Sequence, residues 1–183
     1  LRLAAEHPDR VLGAVFIGSS IPIGPRDPER AAEEQRSFDE PRPYDDGWAK
    51  YNAHFWRRDW HGFAEWFASQ IFSERHSTKQ IEDCIGWGRE ISPQTLVDTT
   101  AGRLGCDGGV CTPLEPLCRQ LACPVLVMHG TEDAVRGPAI SRRLAELTAA
   151  HLLLVEGAGY GLPARAPVLV NREIRAFVER VSP

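Results

Sequence analysis

The sequence contains no apolar run near the ~20 residues that a bilayer-spanning helix needs. Its longest runs, Val11 to Ile17 and Pro124 to Met128, are far shorter, so no membrane segment is expected. Basic residues are scattered and the formal net charge is -4 at pH 7, which leaves no electrostatic footprint for nucleic acid or an anionic membrane. The five cysteines, Cys84, Cys106, Cys111, Cys118 and Cys123, include no CxxC pair, and no histidine stands at zinc-ligand spacing from them. Free thiols in a reducing cytoplasm are therefore expected, and a metal is not. The glycine-rich stretch Gly102 to Gly109 lacks the GxxxxGK[ST] order and follows no strand, which excludes a phosphate loop. No cofactor is expected. Internal repeats and low-complexity tracts are also absent, and 43% hydrophobic with 25% charged residues is the composition of a chain that buries a core.

The opening LRLAAEHP has no initiator methionine, no basic n-region and no apolar h-region. Residues 1 to 7 read as the tail of a helix, stopped at His7-Pro8-Asp9 because a residue before proline is biased out of the helical region. No capping Ser, Thr, Asp or Asn precedes them. Residue 1 is accordingly expected to be a truncation point.

Val11 to Gly18, Pro124 to His129 and Leu152 to Val155 are nearly continuous apolar runs. Strands of a parallel sheet, buried on both faces, have this pattern. Ile140, Leu144 and Leu147 at i, i+4, i+7 predict a helix between the last two strands, and Pro167 to Val181 predicts a closing amphipathic helix. Alternating strands and helices imply right-handed crossovers and an α/β fold. With three strands, the side of the first, Val11 to Gly18, would be an open edge.

Residues 22 to 118 differ in kind. A Pro-rich, charged entry segment leads into a Trp-rich stretch from Trp48 to about Phe72, and Ile81, Ile85 and Pro93 to Val97 suggest further short helices. An insert of this length is too long for a connecting loop and reads as a helical cap. Its aromatics suit either ordinary core packing or the lining of an apolar pocket.

In an open parallel sheet, ligands bind beyond the carboxyl ends of the strands. Those ends carry Gly18-Ser19-Ser20, then Thr131-Glu132-Asp133, then Gly157-Ala158-Gly159-Tyr160-Gly161. Residues 123 to 133, CPVLVMHGTED, running on to VEGAGYG at 155 to 161, resemble the C-terminal part of an α/β-hydrolase, and LRLAAEHPDRVLGAVFIGSS is similar to that family's helix after the nucleophile elbow and the next strand. The resemblance covers residues 1 to 21 and 119 to 183, the expected core, with 22 to 118 as the cap. It implies a partial α/β-hydrolase fold of about three parallel strands with flanking helices. Asp133 then matches the triad acid, which accepts the Nδ1 proton of a histidine, and the spacing makes Glu132 the lesser candidate. Without a partner histidine, Asp133 would only cap a helix or order its turn.

Tyr160 stands where the resemblance puts the histidine, and this is a departure. A phenol with pKa near ~10 does not do the work of an imidazole near ~6.5. His129 and His151 are expected to bond to backbone from the strands, and His54, His61 and His76 to pack or face solvent in the cap. No GxSxG elbow occurs in the chain. Ser19 and Ser20 lack its flanking glycines and read as lining or turn residues. Ser19, Trp56 and Trp66 are the expected substrate-lining residues.

The resemblance implies an esterase-like serine hydrolase acting on a small acyl substrate, with the nucleophile on a missing N-terminal half of the same fold. This chain is expected to be inactive alone. A non-catalytic domain that binds a ligand or partner, or one that regulates a fused module, are the other expectations that fold alone does not separate.

Overall fold

A computed structural model describes residues 1–23, 28–104 and 114–182. Cys106, Cys111 and most of the Gly102 to Gly109 stretch lie outside the described residues. The chain forms two compact units, Leu1–Gly24 with Gln70–Ser77 and Pro113–Pro183, and Pro25–Ser69 with Thr78–Thr112.

The first unit is built on three parallel strands, β1 (Ala14–Ile17), β2 (Val125–Gly130) and β3 (His151–Val155), in the order β1-β2-β3. Ala14 pairs with Val125 and Ile17 with Met128 on one side of β2, and Leu126 pairs with His151 and Gly130 with Val155 on the other. Because β2 is central it is buried throughout, and this explains why its sequence runs apolar without alternation. Its side chains divide between the two faces. Val125 and Val127 pack with Leu144 and Leu147 of α8 (Ala139–Thr148) and with Cys118 of α7 (Leu114–Arg119). Leu126 and Met128 pack with Leu162 of α9 (Leu162–Arg165) and with Val170 and Phe177 of α10 (Pro167–Val181). The short α1 (Arg2–Glu6) has Leu1 at its N-cap, without a side-chain hydrogen bond.

The second unit is helical. It contains α2 (Pro28–Asp39), α3 (Ala53–Arg58), α4 (Trp60–Ile71, whose last two residues belong to the first unit), α5 (Thr78–Gly88) and α6 (Pro93–Leu104). The predicted Trp-rich helix is broken in two at Asp59, which caps the second piece by accepting the Gly62 amide proton. Its core comprises Phe38, Phe55, Trp56, Phe63 and Val97, bordered by Tyr51, Trp66 and Phe67. Asn52 joins two helices of this unit, α2 and α3. Its Oδ1 accepts from the His54 and Phe55 amides at the start of α3, and its Nδ2 donates to the Ser37, Phe38 and Glu40 carbonyls at the end of α2.

The unit boundaries follow contacts rather than sequence order. α7 packs on α8 and α1, and the segment 70–77, within the sequence of the insert, belongs with the sheet. Cys84, Cys118 and Cys123 carry free thiols, and burial pushes those of Cys84 and Cys118 up. Among the described residues, no helix is long and apolar enough to cross a membrane. Nor, among them, is any group of three or more His, Cys, Asp or Glu placed to hold a metal ion.

Candidate functional site

The loops after β2 and β3 are tied to each other at the carboxyl end of the sheet. The Thr131 amide donates to the Val155 carbonyl at 3.0 Å, the Glu132 amide to the Ala158 carbonyl at 3.0 Å, and the Gly157 amide to Thr131 Oγ1 at 2.9 Å. Gly130 makes this approach possible. A Cβ there would stand 2.5 Å from the Gly159 carbonyl oxygen and closer still to that of Ala158, so any side chain would push the two loops apart.

Asp133 is 8% exposed and shapes its own turn. Its Oδ1 accepts from the Val135 amide at 2.8 Å and the Arg136 amide at 2.7 Å, an Asx-type turn that substitutes side-chain oxygen for backbone. Its Oδ2 lies 3.0 Å from His129 Nε2. The N–H on that nitrogen is aimed at the Arg136 carbonyl, 2.8 Å away, so Oδ2 sits beside a donor directed elsewhere. Among the described residues it has no aligned hydrogen-bond partner.

His129, fully buried on β2, has its tautomer set by these neighbours. Nε2 faces only acceptors and must carry hydrogen, while Nδ1 stands 2.7 Å from Ser141 Oγ on α8. The serine hydroxyl donates to Nδ1 when the ring is neutral and accepts from it when the ring is charged. Burial opposes the charge, but the Asp133 carboxylate beside Nε2 and the hydrogen bond to the Arg136 carbonyl hold the imidazole above the ordinary histidine range. His129 does bond to backbone, as its place on a strand suggested. The pairing with Ser141 and Asp133 was hidden, because nothing in the sequence marks a serine twelve positions on as its partner.

Tyr160 is half-buried, and its ring reaches back across the end of the central strand to β1. Its Cδ2 and Cε2 lie 3.7 Å from where a Cβ on Gly18 would be. Beside it, Ser19 is 6% exposed, and its hydroxyl has no hydrogen-bond partner among the described residues. The loop after β3 therefore meets the loop after β2 through hydrogen bonds and the end of β1 through Tyr160.

Among the other candidate residues, the two tryptophans belong to the helical unit. Trp56 is 0% exposed, enclosed by Phe38, Tyr51 and Phe63 at ring separations of 5.2, 4.9 and 4.7 Å. Trp66 is partly buried, edge-on to Trp48 at 5.1 Å. His54 Nε2 meets the Asp39 carbonyl at 2.7 Å and His61 Nε2 meets Glu65 at 3.1 Å, both on exposed faces, while His76 and His151 are exposed.

Solved structures with this arrangement of strands and helices include esterases, other hydrolases and a bromoperoxidase. An esterase from Thermogutta terrifontis, determined with malate bound, superposes with a TM-score of 0.70 at 23% identity, over 98% of this chain and 60% of its own. The fold is that of the α/β-hydrolases. An esterase from a Rhodococcus species matches at a TM-score of 0.67 and 20% identity, and one from Exiguobacterium antarcticum at 0.72 and 13%. The chain spans about 60% of the length of these α/β-hydrolase structures. No protein-family model matches the sequence, and no curated protein does.

Proposed function

We propose that this chain forms the acid-and-base side of an esterase-like serine hydrolase site for a carboxylic ester or related acyl compound. In this proposal the nucleophile elbow comes from a preceding part of the same fold, and Tyr160 at the base position leaves the protein without turnover. The observation that carries it is the pairing of two hydrogen-bonded loops at the carboxyl end of the sheet, one bearing Asp133 with a buried Oδ2 that lacks an aligned donor among the described residues, the other bearing Tyr160. A histidine at 160 would supply a base, worth typically ~10²–10⁴-fold in rate. A phenol, protonated at neutral pH, does not. The esterase neighbours support the substrate class. Ser19 and Trp66 are proposed as lining residues, and Trp56 as one that would reach a ligand only if the aromatic cluster around it rearranged. No cofactor, metal, nucleic acid or membrane enters this proposal, and its setting is the cytoplasm.

A second reading is a non-catalytic domain that binds a ligand or a partner, including a fused module that it regulates. It is favoured by the engagement of Asp133 with the Val135 and Arg136 amides and with His129, a self-contained arrangement that needs no imidazole at 160. A fluorophosphonate serine probe separates the two when applied to the chain joined to its upstream sequence, with and without Tyr160→His. Labelling that appears only with histidine supports the hydrolase proposal. Specific ligand binding with no labelling in either protein supports the second reading.

A further inference from the structure

Residue 160 is held from both sides by a segment that lies about 85 positions earlier in sequence. The Gly159 amide donates to Glu74 Oε1 at 2.7 Å, and the Gly161 amide donates to the Ile71 carbonyl at 3.1 Å. Glu74 is turned inward, with 13% of its side chain exposed, and its Oε2 faces the Arg165 guanidinium at 3.9 Å from Nε. Arg165 Nη2 in turn donates to the Arg75 carbonyl at 3.1 Å. Phe72 is buried and fills the space over Gly161 so closely that a Cβ on that glycine would overlap its ring. Helix, carboxylate, carbonyl and ring thus act on the two residues that flank position 160, and on the adjoining helix α9.

We propose that Glu74 is the positioning residue for residue 160. A carboxylate that accepts a backbone amide proton in a sheltered place makes a stronger, shorter bond than a neutral acceptor does. Here that bond fixes the Ala158–Gly159 peptide, one residue ahead of the peptide that enters residue 160, while the Ile71 carbonyl fixes the peptide that leaves it. Glu74 acts through this loop and needs no contact with substrate. The inference deepens the proposed function, since it rests on position 160 being the base position.

Amide hydrogen exchange on the whole chain tests the clamp without any need for activity. Glu74→Ala is expected to speed exchange across residues 156–161 by about tenfold or more, the scale of one lost charge-assisted hydrogen bond, while the β2 and β3 amides keep their protection. Glu74→Gln, which preserves size and one acceptor oxygen, is expected to give a smaller, severalfold rise confined to the same loop, and it serves where the alanine variant does not fold. Unchanged exchange at 156–161, or a rise shared equally by the strands, overturns the proposal. In Tyr160→His protein joined to its upstream sequence, Glu74→Gln is expected to lower kcat while leaving KM in place, because base placement matters in the transition state. A change in KM alone overturns the positioning role. If Tyr160→His shows no turnover, the hydrolase proposal fails while the exchange measurement still decides the clamp.

Discussion

Replacing Gly130 with alanine tests whether the loops after β2 and β3 form one packed unit. The added Cβ would lie 2.5 Å from the Gly159 carbonyl oxygen and nearer to the Ala158 carbonyl, both backbone groups that cannot rotate away. The loops must separate, and with them the Glu132 to Ala158 and Thr131 to Val155 hydrogen bonds, each 3.0 Å long. Overpacking of this kind costs ~1–3 kcal/mol and each of the two lost backbone bonds ~0.5–1.5 kcal/mol, for a total of roughly 2–6 kcal/mol. For a chain of this size each kcal/mol lowers Tm by ~2–4 °C, so a fall of about 4–24 °C is expected. Differential scanning calorimetry reads it directly. Gly137→Ala is the control, since nothing lies within 4 Å of its Cβ position and exposed substitutions stay within about 0.5 kcal/mol. A shift below about 2 °C for Gly130→Ala, or an equal shift for both variants, would refute the packing argument.

Buried polar groups give two further expected outcomes. His129 has a folded pKa raised above its ordinary value, so its protonation contributes stability that is fully present below the ordinary histidine range near ~6.5 and is lost as pH rises through the folded value. The stability difference between wild type and His129→Gln, measured by urea titration across pH, should therefore shrink as pH rises through and above that range, and a difference that grows would contradict the assignment. Asn52→Ala removes an N-cap and takes the Nδ2 donor from the carbonyls of Phe38 and Glu40, and from that of Ser37, which keeps the Arg42 Nε–H. A loss of about 2–4 kcal/mol is expected from the cap and the unpaired groups together, and a loss under about 0.5 kcal/mol would show that water replaces the side chain.

The strands and the last helix were legible because their residues are buried in regular patterns. β2 is apolar on both faces since helices cover both, and Pro167–Val181 begins and ends where its proline and its final apolar position place it. α2 was not legible. Its sequence, PERAAEEQRSFD, is almost wholly charged or small, and among its described side chains Phe38 is the one in the aromatic core. The candidate site divides in the same way. That Asp133 and Tyr160 follow strands and so lie at the carboxyl end of the sheet could be read from the apolar runs, while the triad positions proposed for them came from the resemblance to the α/β-hydrolases. His129 with Ser141, and Glu74 with Gly159, could not be read in either way. Each pair is joined by a tertiary hydrogen bond between elements whose spacing in sequence carries no signal, 12 residues apart in the first case and 85 in the second.

The most direct measurement is ester turnover against pH for the protein joined to its upstream sequence, as wild type and as Tyr160→His. Wild type is expected to show no turnover above background. The histidine variant is expected to gain ~10²-fold or more, with a rate that rises through the imidazole range as the base deprotonates. Equal turnover in the two proteins, or a gain with no dependence on pH between about 5 and 8, would contradict position 160 as the seat of the missing base.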